Sequence, residues 1–328
     1  MTASDFGKIL KNFERFSKIP LHFYGFSVYN EIRKGSGDTM NYEGQICRGP
    51  MERASFMLPV EVGCAYNRCK FCTLFKHLKF RELSMDQIEE ELKRVSRING
   101  NPKTVFLGDG NAFGLSTETL LKIGEKIHFY FPGCQSIHMD ATVTDISRKS
   151  DTELHQLYDA GVRHLYLGIE SGLDDVLAFM NKDHTLEQAY YEIDRMKAAG
   201  LVFDAHFMTG IAGKGRGIEN AEHTAEFFNR TQPYRMINFS MFLHERAPLY
   251  QEIRKGRFHP ADERENLTEE RRLLELLKPW EHEAIYDGFH DMIEFRVRGV
   301  LPRDREEMIA KLDDRIAKEM PGLLAYVG

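Results

Sequence analysis

The sequence of 328 residues lacks the features that mark several classes of protein. It has no apolar run near the roughly 18 to 20 residues that a membrane-spanning helix needs, and its first residues show no secretory apolar core with a cleavage site. It also lacks a strong net charge, because 44 basic and 50 acidic residues give −6. We therefore do not expect a membrane protein, a secreted protein or a dedicated nucleic-acid binder, which usually has a basic domain. We expect a cytoplasmic protein.

Cysteine is scarce and unevenly spread, since three of the five cysteines fall close together. Cys64, Cys69 and Cys72 follow an apolar run in the order Cys-x4-Cys-x2-Cys. In a reducing compartment such a group indicates a metal site before a disulfide. Soft thiolates on one loop suit an iron–sulfur cluster or zinc. Three protein ligands to a cubane [4Fe–4S] cluster would leave one iron open for chemistry.

Three other interpretations of the cysteine group remain open. A plant-type [2Fe–2S] ferredoxin shares this spacing but needs a fourth cysteine, for which only Cys134 lies downstream. A structural Cys3His zinc site could recruit His77. The three cysteines could also be buried without any metal. The protein would then be a ferredoxin-like electron carrier, a zinc-stabilised binding module or neither.

Short apolar runs alternate with amphipathic helical segments six times between residues 56 and 243. Strands separated by helices imply right-handed crossovers and a parallel sheet. Six units are too few for a closed eight-fold barrel, so we predict an α/β fold with an open, partial (β/α)6 barrel; a doubly wound sheet is the alternative. We expect the core to span residues 51–245, with an N-terminal cap over 1–50 and a mainly helical extension over 246–328. Functional loops in either fold lie at the carboxyl ends of the strands.

The cysteine group, with the aromatic Phe71 before its last member, resembles the motif of the radical S-adenosylmethionine (SAM) superfamily. The resemblance covers residues 51 to about 245, although Cys64-x4-Cys69 is one residue longer than the common spacing. It is nearest to the branch of oxygen-independent coproporphyrinogen oxidases and their uncharacterised relatives. Residues 301–312 of this sequence also resemble the tail of those relatives. It implies a [4Fe–4S] cluster on the three cysteines, SAM as cofactor, and an external one-electron reductant such as flavodoxin or ferredoxin.

The same resemblance implies which residues contact SAM. The second strand ends in Gly108, Asp109 and Gly110, where the family often has a Gly-Gly-Glu-like turn near the methionine amine. Glu170 ends the fourth strand, in the place of the family's acidic residue beside the ribose and methionine. Lys182 stands twelve positions later, where a cation often forms a charge-assisted hydrogen bond with the SAM carboxylate.

Alternation along the strands predicts which polar residues face the barrel interior. His138 and Asp140 share a face of the third strand, and Asp204 and His206 share a face of the fifth. We expect Asp140 to lie near SAM, and Asp204 and His206 to act on the substrate as catalytic residues. The alternative is that Asp204 and His206 form a satisfied pair in the core.

The cysteines outside the motif narrow the expected chemistry. Only Cys47 and Cys134 remain, too few for an all-cysteine auxiliary cluster. We therefore expect a stand-alone radical enzyme whose 5′-deoxyadenosyl radical abstracts a hydrogen atom from a small molecule, with nucleic acid an unlikely substrate.

Overall fold

The computed structural model describes residues 48–324 and 326–327. The predicted N-terminal cap of residues 1–50 therefore lies outside the described residues apart from its last three, and so does Cys47. Within the described part of the chain, the centre of the fold is one eight-stranded sheet. Its strands are β1 (Phe56–Pro59), β2 (Thr104–Gly108), β3 (Ser136–Ala141), β4 (Val162–Glu170), β5 (Val202–Phe207), β6 (Arg235–Phe239), β7 (Ala284–His290) and β8 (Phe295–Leu301).

The strands lie in the sheet in the order in which they occur along the chain. Neighbours from β1 to β7 pair in parallel, and only β8 runs antiparallel to β7. A doubly wound sheet reverses its strand order at a switch point, whereas this order never reverses. Because right-handed crossovers then place the helices on one side, the sheet curves into the predicted partial barrel.

Ten helices accompany the strands in the described residues. They are α1 (Met85–Arg97), α2 (Thr117–Tyr130), α3 (Val143–Ser147), α4 (Asp151–Asp159), α5 (Asp174–Phe179), α6 (Leu186–Ala198), α7 (Gly217–Thr231), α8 (Pro248–Arg254), α9 (Glu263–Leu276) and α10 (Arg305–Lys318). Short two-residue strands pair Glu61–Val62 with Arg81–Glu82 and Leu243–His244 with Tyr326–Val327.

Local sequence signals explain where the helices begin and end. Ser84 accepts a hydrogen bond from the Gln87 amide in a capping box at the start of α1. Thr185 caps α6 in the same way. Gly200 follows α6 with a φ of +87°, a conformation that glycine adopts without strain, as its position in the sequence predicts.

The alternation of β5 separates the two faces of the sheet. Phe203, Ala205 and Phe207 belong to the large apolar core between the sheet and the helices. The ring of His206 lies on the other face, 5.3 Å from the ring of Tyr166 in the barrel interior. The predicted arrangement, apolar residues outward and polar residues inward, is therefore confirmed for this strand.

The C-terminal extension is mainly helical in the described residues, but it also contains a β-hairpin that the prediction did not include. Residues 246–328 contain α8, α9 and α10, but they also contain the hairpin of β7 and β8, which continues the main sheet. The prediction of a mainly helical extension omitted this hairpin because Asp287 and Gly288 interrupt the apolar pattern of β7. Both residues are accommodated by neighbours from elsewhere in the chain: Arg296 pairs with Asp287, its Nε 2.6 Å from Oδ1, and Glu270 packs against Gly288. The division of the chain at residue 245 stays a prediction.

Candidate active site

The three cysteines lie on the loop that leaves the carboxyl end of β1. The loop begins at Gly63, whose φ is +76°. Two distant segments hold it: the Ala65 amide donates to Oδ1 of Asn111 at 3.1 Å, and the Lys70 amide donates to the Met180 carbonyl at 2.9 Å. The loop is therefore tied both to the end of β2 and to the segment that carries Lys182.

The thiols of this loop form a donor set that fits a sulfur-ligated cluster. Burial raises the pKa of all three thiols, that of Cys69 to about 11. Without metal they are neutral, so a bound cluster must displace their protons. The Asn67 amide already donates to Sγ of Cys64 at 3.4 Å. Backbone donors of this kind stabilise a cluster's sulfur ligands and tune it.

No three His, Cys, Asp or Glu side chains in the described part of the chain are grouped so that they could hold a single metal ion. This is compatible with a cubane cluster, in which each of three thiolates binds a different iron and the sulfurs need not converge on one point. His77, the fourth ligand considered for zinc, is exposed on the same loop.

The predicted Gly-Asp-Gly turn lies against the start of the cysteine loop. A Cβ on Gly110 would stand 2.6 Å from Oε1 of Glu61 and 2.9 Å from the carbonyl carbon of Gly63, and its φ is +132°. Only glycine fits this close approach. Asp109 is buried beside it. The structure thus brings Gly108, Asp109 and Gly110 to the cluster loop, while their contact with SAM stays a prediction.

Glu61 and Asn111 also belong to this region, although neither was predicted from the sequence as a site residue. Oε1 of Glu61 accepts a hydrogen bond of 2.6 Å from the Asn111 amide, and its buried Oε2 has no partner. Burial raises the pKa of Glu61 well above the usual value, against the opposing hydrogen bond. The side chain of Asn111 joins the cysteine loop to Oδ2 of Asp145 on α3, at 2.6 Å. The sequence signal that could have indicated Glu61 is its position, an acidic residue three positions before Cys64 in an otherwise apolar run.

Glu170 and Lys182 form a buried ion pair. Nζ of Lys182 lies 3.2 Å from Oε1 of Glu170 and 3.7 Å from Oδ1 of Asp183, and the Lys182 side chain is only 6% exposed. Burial opposes the lysine charge, but Glu170, Cys69 and Asp183 outweigh it and raise the pKa of Lys182. The two residues predicted to contact SAM therefore lie together, with Lys182 charged and within electrostatic reach of the cysteine loop.

A backbone irregularity places Glu170 in this pair. Glu170 has a φ of +64° and follows a register shift at the end of β4. A Cβ on Gly168 would stand 3.0 Å from Nζ of Lys182 and closer still to Glu170. The glycine of this strand therefore makes room for the ion pair.

Asp140 and His206 lie in the barrel interior. Oδ1 of Asp140 and Nε2 of His206 are buried and have no hydrogen-bond partner in the part of the chain that the structure describes. Burial, followed by the charges of Glu52 and Asp109, raises the pKa of Asp140 to about 8. Burial, followed by the charge of Lys182, lowers the pKa of His206 to about 4. His206 is therefore uncharged at neutral pH, and Asp140 is mostly protonated.

Asp204 does not pair with His206. Its Oδ2 lies 2.7 Å from Nδ1 of His164 and 3.8 Å from Nη1 of Arg235. These residues belong to a buried polar network at the amino ends of the strands, whose members are Glu52, His138, His164, Tyr166, Asp204 and Arg235. The alternative of a satisfied Asp204–His206 pair is therefore not found, and Oδ1 of Asp204 is buried without a hydrogen-bond partner among the described residues. The catalytic role of Asp204 stays a prediction.

Phe71 is half-buried and packs against a separate apolar cluster that includes Leu173, Met180 and Met208. It helps to hold the cysteine loop against the segment before Lys182. Its predicted contact with SAM stays a prediction.

The profile of the family described as the Radical SAM superfamily matches residues 58–228. The chain belongs to the radical SAM superfamily. It is 24% identical over 206 residues to the heme chaperone HemW of Bacillus subtilis (strain 168), covering 62% of this chain and 53% of that protein. It is 28% identical over 220 residues to the tRNA-2-methylthio-N(6)-dimethylallyladenosine synthase of Anaeromyxobacter sp. (strain Fw109-5), covering 58% of this chain and 43% of that enzyme. The chain thus matches about half of each relative's length or less.

Solved structures of radical SAM proteins share the fold. Coproporphyrinogen III oxidase (HemN) from Escherichia coli matches with a TM-score of 0.52 and 13% identity, over 67% of this chain and 50% of that one. Methylornithine synthase (PylB) matches with a TM-score of 0.50 and 15% identity, over 68% of this chain and 63% of that one. The predicted superfamily and the partial-barrel fold are therefore confirmed.

Membership of the superfamily makes the chain an enzyme that uses a [4Fe–4S] cluster and SAM. The ferredoxin-like carrier and the zinc-stabilised module are not favoured. No helix of the described residues is long and apolar enough to cross a membrane.

Proposed function

We propose that this radical SAM enzyme abstracts a hydrogen atom from a small molecule held inside the barrel, between the SAM site and the buried polar network. The observation that carries the proposal is the pair of buried, unpartnered polar atoms there, Oδ1 of Asp140 and Nε2 of His206. Buried polar atoms are nearly always hydrogen-bonded, so such atoms indicate a ligand that completes them.

The cofactor side of the site uses residues at the carboxyl ends of the strands. Cys64, Cys69 and Cys72 would hold the cluster, and Glu170 and Lys182 would contact SAM beside it. When bound, the two cofactors supply one-electron cleavage of the sulfonium and a carbon radical that takes a hydrogen atom. The protein's part is to exclude water and to position the substrate.

The substrate side has its own chemistry. His206 is uncharged at neutral pH, and its ring meets the ring of Phe239 edge to face at 5.7 Å. An uncharged polar group on an apolar or aromatic body fits these partners. The network around Glu52 closes the amino end of the barrel, because its hydrogen bonds join β3, β4 and β6. The substrate would therefore enter from the SAM side.

The first experiment is anaerobic reconstitution followed by assays of iron, sulfide and 5′-deoxyadenosine. We expect about four irons and four sulfides per chain, as a cubane requires, and SAM cleavage by the reduced protein. A protein that keeps its cluster but never cleaves SAM would overturn the proposed activity and restore the electron-carrier alternative.

The second experiment tests the substrate class and the role of His206. A low-molecular-mass cell extract should accelerate 5′-deoxyadenosine formation by the wild type, and a macromolecular fraction should not. His206→Gln should keep its iron, SAM affinity and melting temperature, and the acceleration should fall at least about tenfold, equivalent to about 1.4 kcal/mol in the barrier. The matched control is His138→Gln in the network below, which should lower the melting temperature instead. Acceleration by the macromolecular fraction alone would refute the small-molecule class.

A further inference from the structure

The loop that carries the cysteines is strongly basic, although the chain as a whole is acidic. From Gly63 to Arg81 the sequence contains five lysines and arginines and no aspartate or glutamate, whereas the whole chain has a net charge of −6. The basic residues of this segment are Arg68, Lys70, Lys76, Lys79 and Arg81. Such an excess in one short segment needs a reason beyond solubility.

Four of these cations, Arg68, Lys70, Lys76 and Lys79, have no partner of opposite charge within ion-pair distance among the described residues. Arg68 and Lys79 are exposed. Lys76 donates to the carbonyl of Asn67 at 2.6 Å, and Lys70 stands 4.3 Å from the centre of the Phe179 ring. Among the described residues, none of these four cations lies in an ion pair. Surface arginines on the helices are different: Arg216 pairs with Asp175, Arg271 with Asp313 and Arg272 with Glu222.

The neighbouring helix α8 adds to the positive charge of the loop. The amide of Leu249 on α8 donates to the carbonyl of Lys70 at 2.9 Å, so α8 lies directly beside the loop. The end of this helix contributes Arg254 and Lys255, both exposed. We call Arg68, Lys70, Lys76, Lys79, Arg254 and Lys255 the cationic rim.

The rim stands at the cluster-binding loop itself. Nζ of Lys76 donates to the carbonyl of Asn67, whose amide donates to Sγ of Cys64 at 3.4 Å. The segment with Lys79 returns to the start of the loop, since a Cβ on Gly63 would lie 3.5 Å from Cβ of Leu78. The rim therefore lies on the loop that carries the cysteines and on the helix beside it.

We propose that the cationic rim is the docking surface of an acidic one-electron carrier protein. The proposal rests on the proposed function, because only a radical SAM enzyme needs this electron. The carrier gives up one electron and is oxidised by one unit, the cluster is reduced by one unit, and no bond or proton is exchanged. Electron transfer slows steeply with distance, so a carrier gains from docking over the cluster. Complementary charge speeds such encounters by about 10- to 1,000-fold.

The test is charge reversal at the two exposed rim residues of the cysteine loop, Arg68→Glu with Lys79→Glu. The matched control, Lys122→Glu with Lys318→Glu, changes the net charge equally on α2 and α10, two helices that carry none of the rim residues. Reconstituted proteins are mixed anaerobically with reduced flavodoxin, an acidic carrier, and cluster reduction is followed by absorbance and electron paramagnetic resonance. Equilibrium binding of oxidised flavodoxin gives a second readout that does not depend on turnover.

We expect the rim variant to be reduced by flavodoxin at least about tenfold more slowly at low ionic strength, with binding weakened to a similar extent. Its rate should also depend less on salt than that of the wild type. The control variant should match the wild type within about twofold. Iron content, and photoreduction of the cluster with uncharged deazaflavin, should be the same in all three proteins.

Flavodoxin kinetics and binding unchanged in the rim variant would overturn the proposal. If the rim variant kept wild-type flavodoxin kinetics but lost affinity for a transfer RNA, the rim would instead be a nucleic-acid-binding surface. If the cluster of the wild type is photoreduced but the protein never cleaves SAM, the proposed function is refuted. The docking proposal is then decided separately, by whether the rim variant binds flavodoxin more weakly than the wild type.

Discussion

Replacing Lys182 with methionine tests the link between the buried ion pair and SAM. Nζ of Lys182 lies 3.2 Å from Oε1 of Glu170, and both side chains are almost fully buried. Asp183 keeps His184 and Thr144 as partners without the lysine, but among the described residues Glu170 has no other ion-pair partner. Lys182→Met therefore leaves a buried charge uncompensated, which costs about 3–5 kcal/mol of stability.

A second substitution separates this loss of stability from the loss of SAM. Glu170→Gln in the Lys182→Met background removes the second charge and leaves a neutral pair of similar size. The double variant should regain most of the lost stability, because replacing both partners of a buried pair is close to neutral. Its SAM affinity should stay about ten- to a hundredfold below that of the wild type, because a charge-assisted contact contributes about 1.5–3 kcal/mol.

The assays are calorimetric titration of SAM into anaerobically reconstituted protein, melting temperature, and iron content. Lys122→Met, which breaks the exposed pair with Glu118 on α2, is the matched control and should change neither stability nor affinity by more than about 1 kcal/mol. Wild-type SAM affinity in the double variant would show that the Glu170–Lys182 pair does not contact SAM, and the assignment of both residues would be wrong.

Three further predictions concern the cluster, the ion-pair pocket and the C-terminal extension. Replacing any one of the three loop cysteines by alanine should abolish cluster iron, whereas Cys134→Ala should retain it; iron loss in the Cys134 variant alone would favour the ferredoxin interpretation. Gly168→Ala should lower SAM affinity at least about tenfold with the iron kept, because the new methyl group stands against Lys182 and Glu170; unchanged affinity would contradict the close approach. Burial lowers the pKa of His290, but Glu270 and Glu263 outweigh it and raise it to about 9. Its stabilising effect should be complete below about pH 6.5 and be lost as the pH rises through 9, so the free energy of unfolding of the wild type relative to His290→Gln should fall by about 3 kcal/mol across that range. A flat difference between pH 6 and 10 would mean that His290 is not charged in the folded protein.

Much of this architecture follows from local signals along the chain. Six strand–helix units, the caps at Ser84, Thr185 and Gly200, and the alternation of β5 all depend on residues close in sequence, whose geometry is set by backbone periodicity. The cysteine spacing is local in the same sense, since three thiols within one loop can reach one cluster whatever surrounds them. These features were predictable and are found in the structure.

Other features depend on contacts that no spacing encodes. Nδ1 of His138 meets Oε1 of Glu52 across 86 positions, and Nη1 of Arg235 meets the same atom across 183. Such pairings determine that Asp204 binds His164 in preference to His206, and that β7 tolerates Asp287 and Gly288. They arise because a buried charge must find a partner wherever the fold places one. Composition and spacing identify which residues need partners, whereas the curvature of the sheet selects the partners and leaves Asp140 and His206 without one.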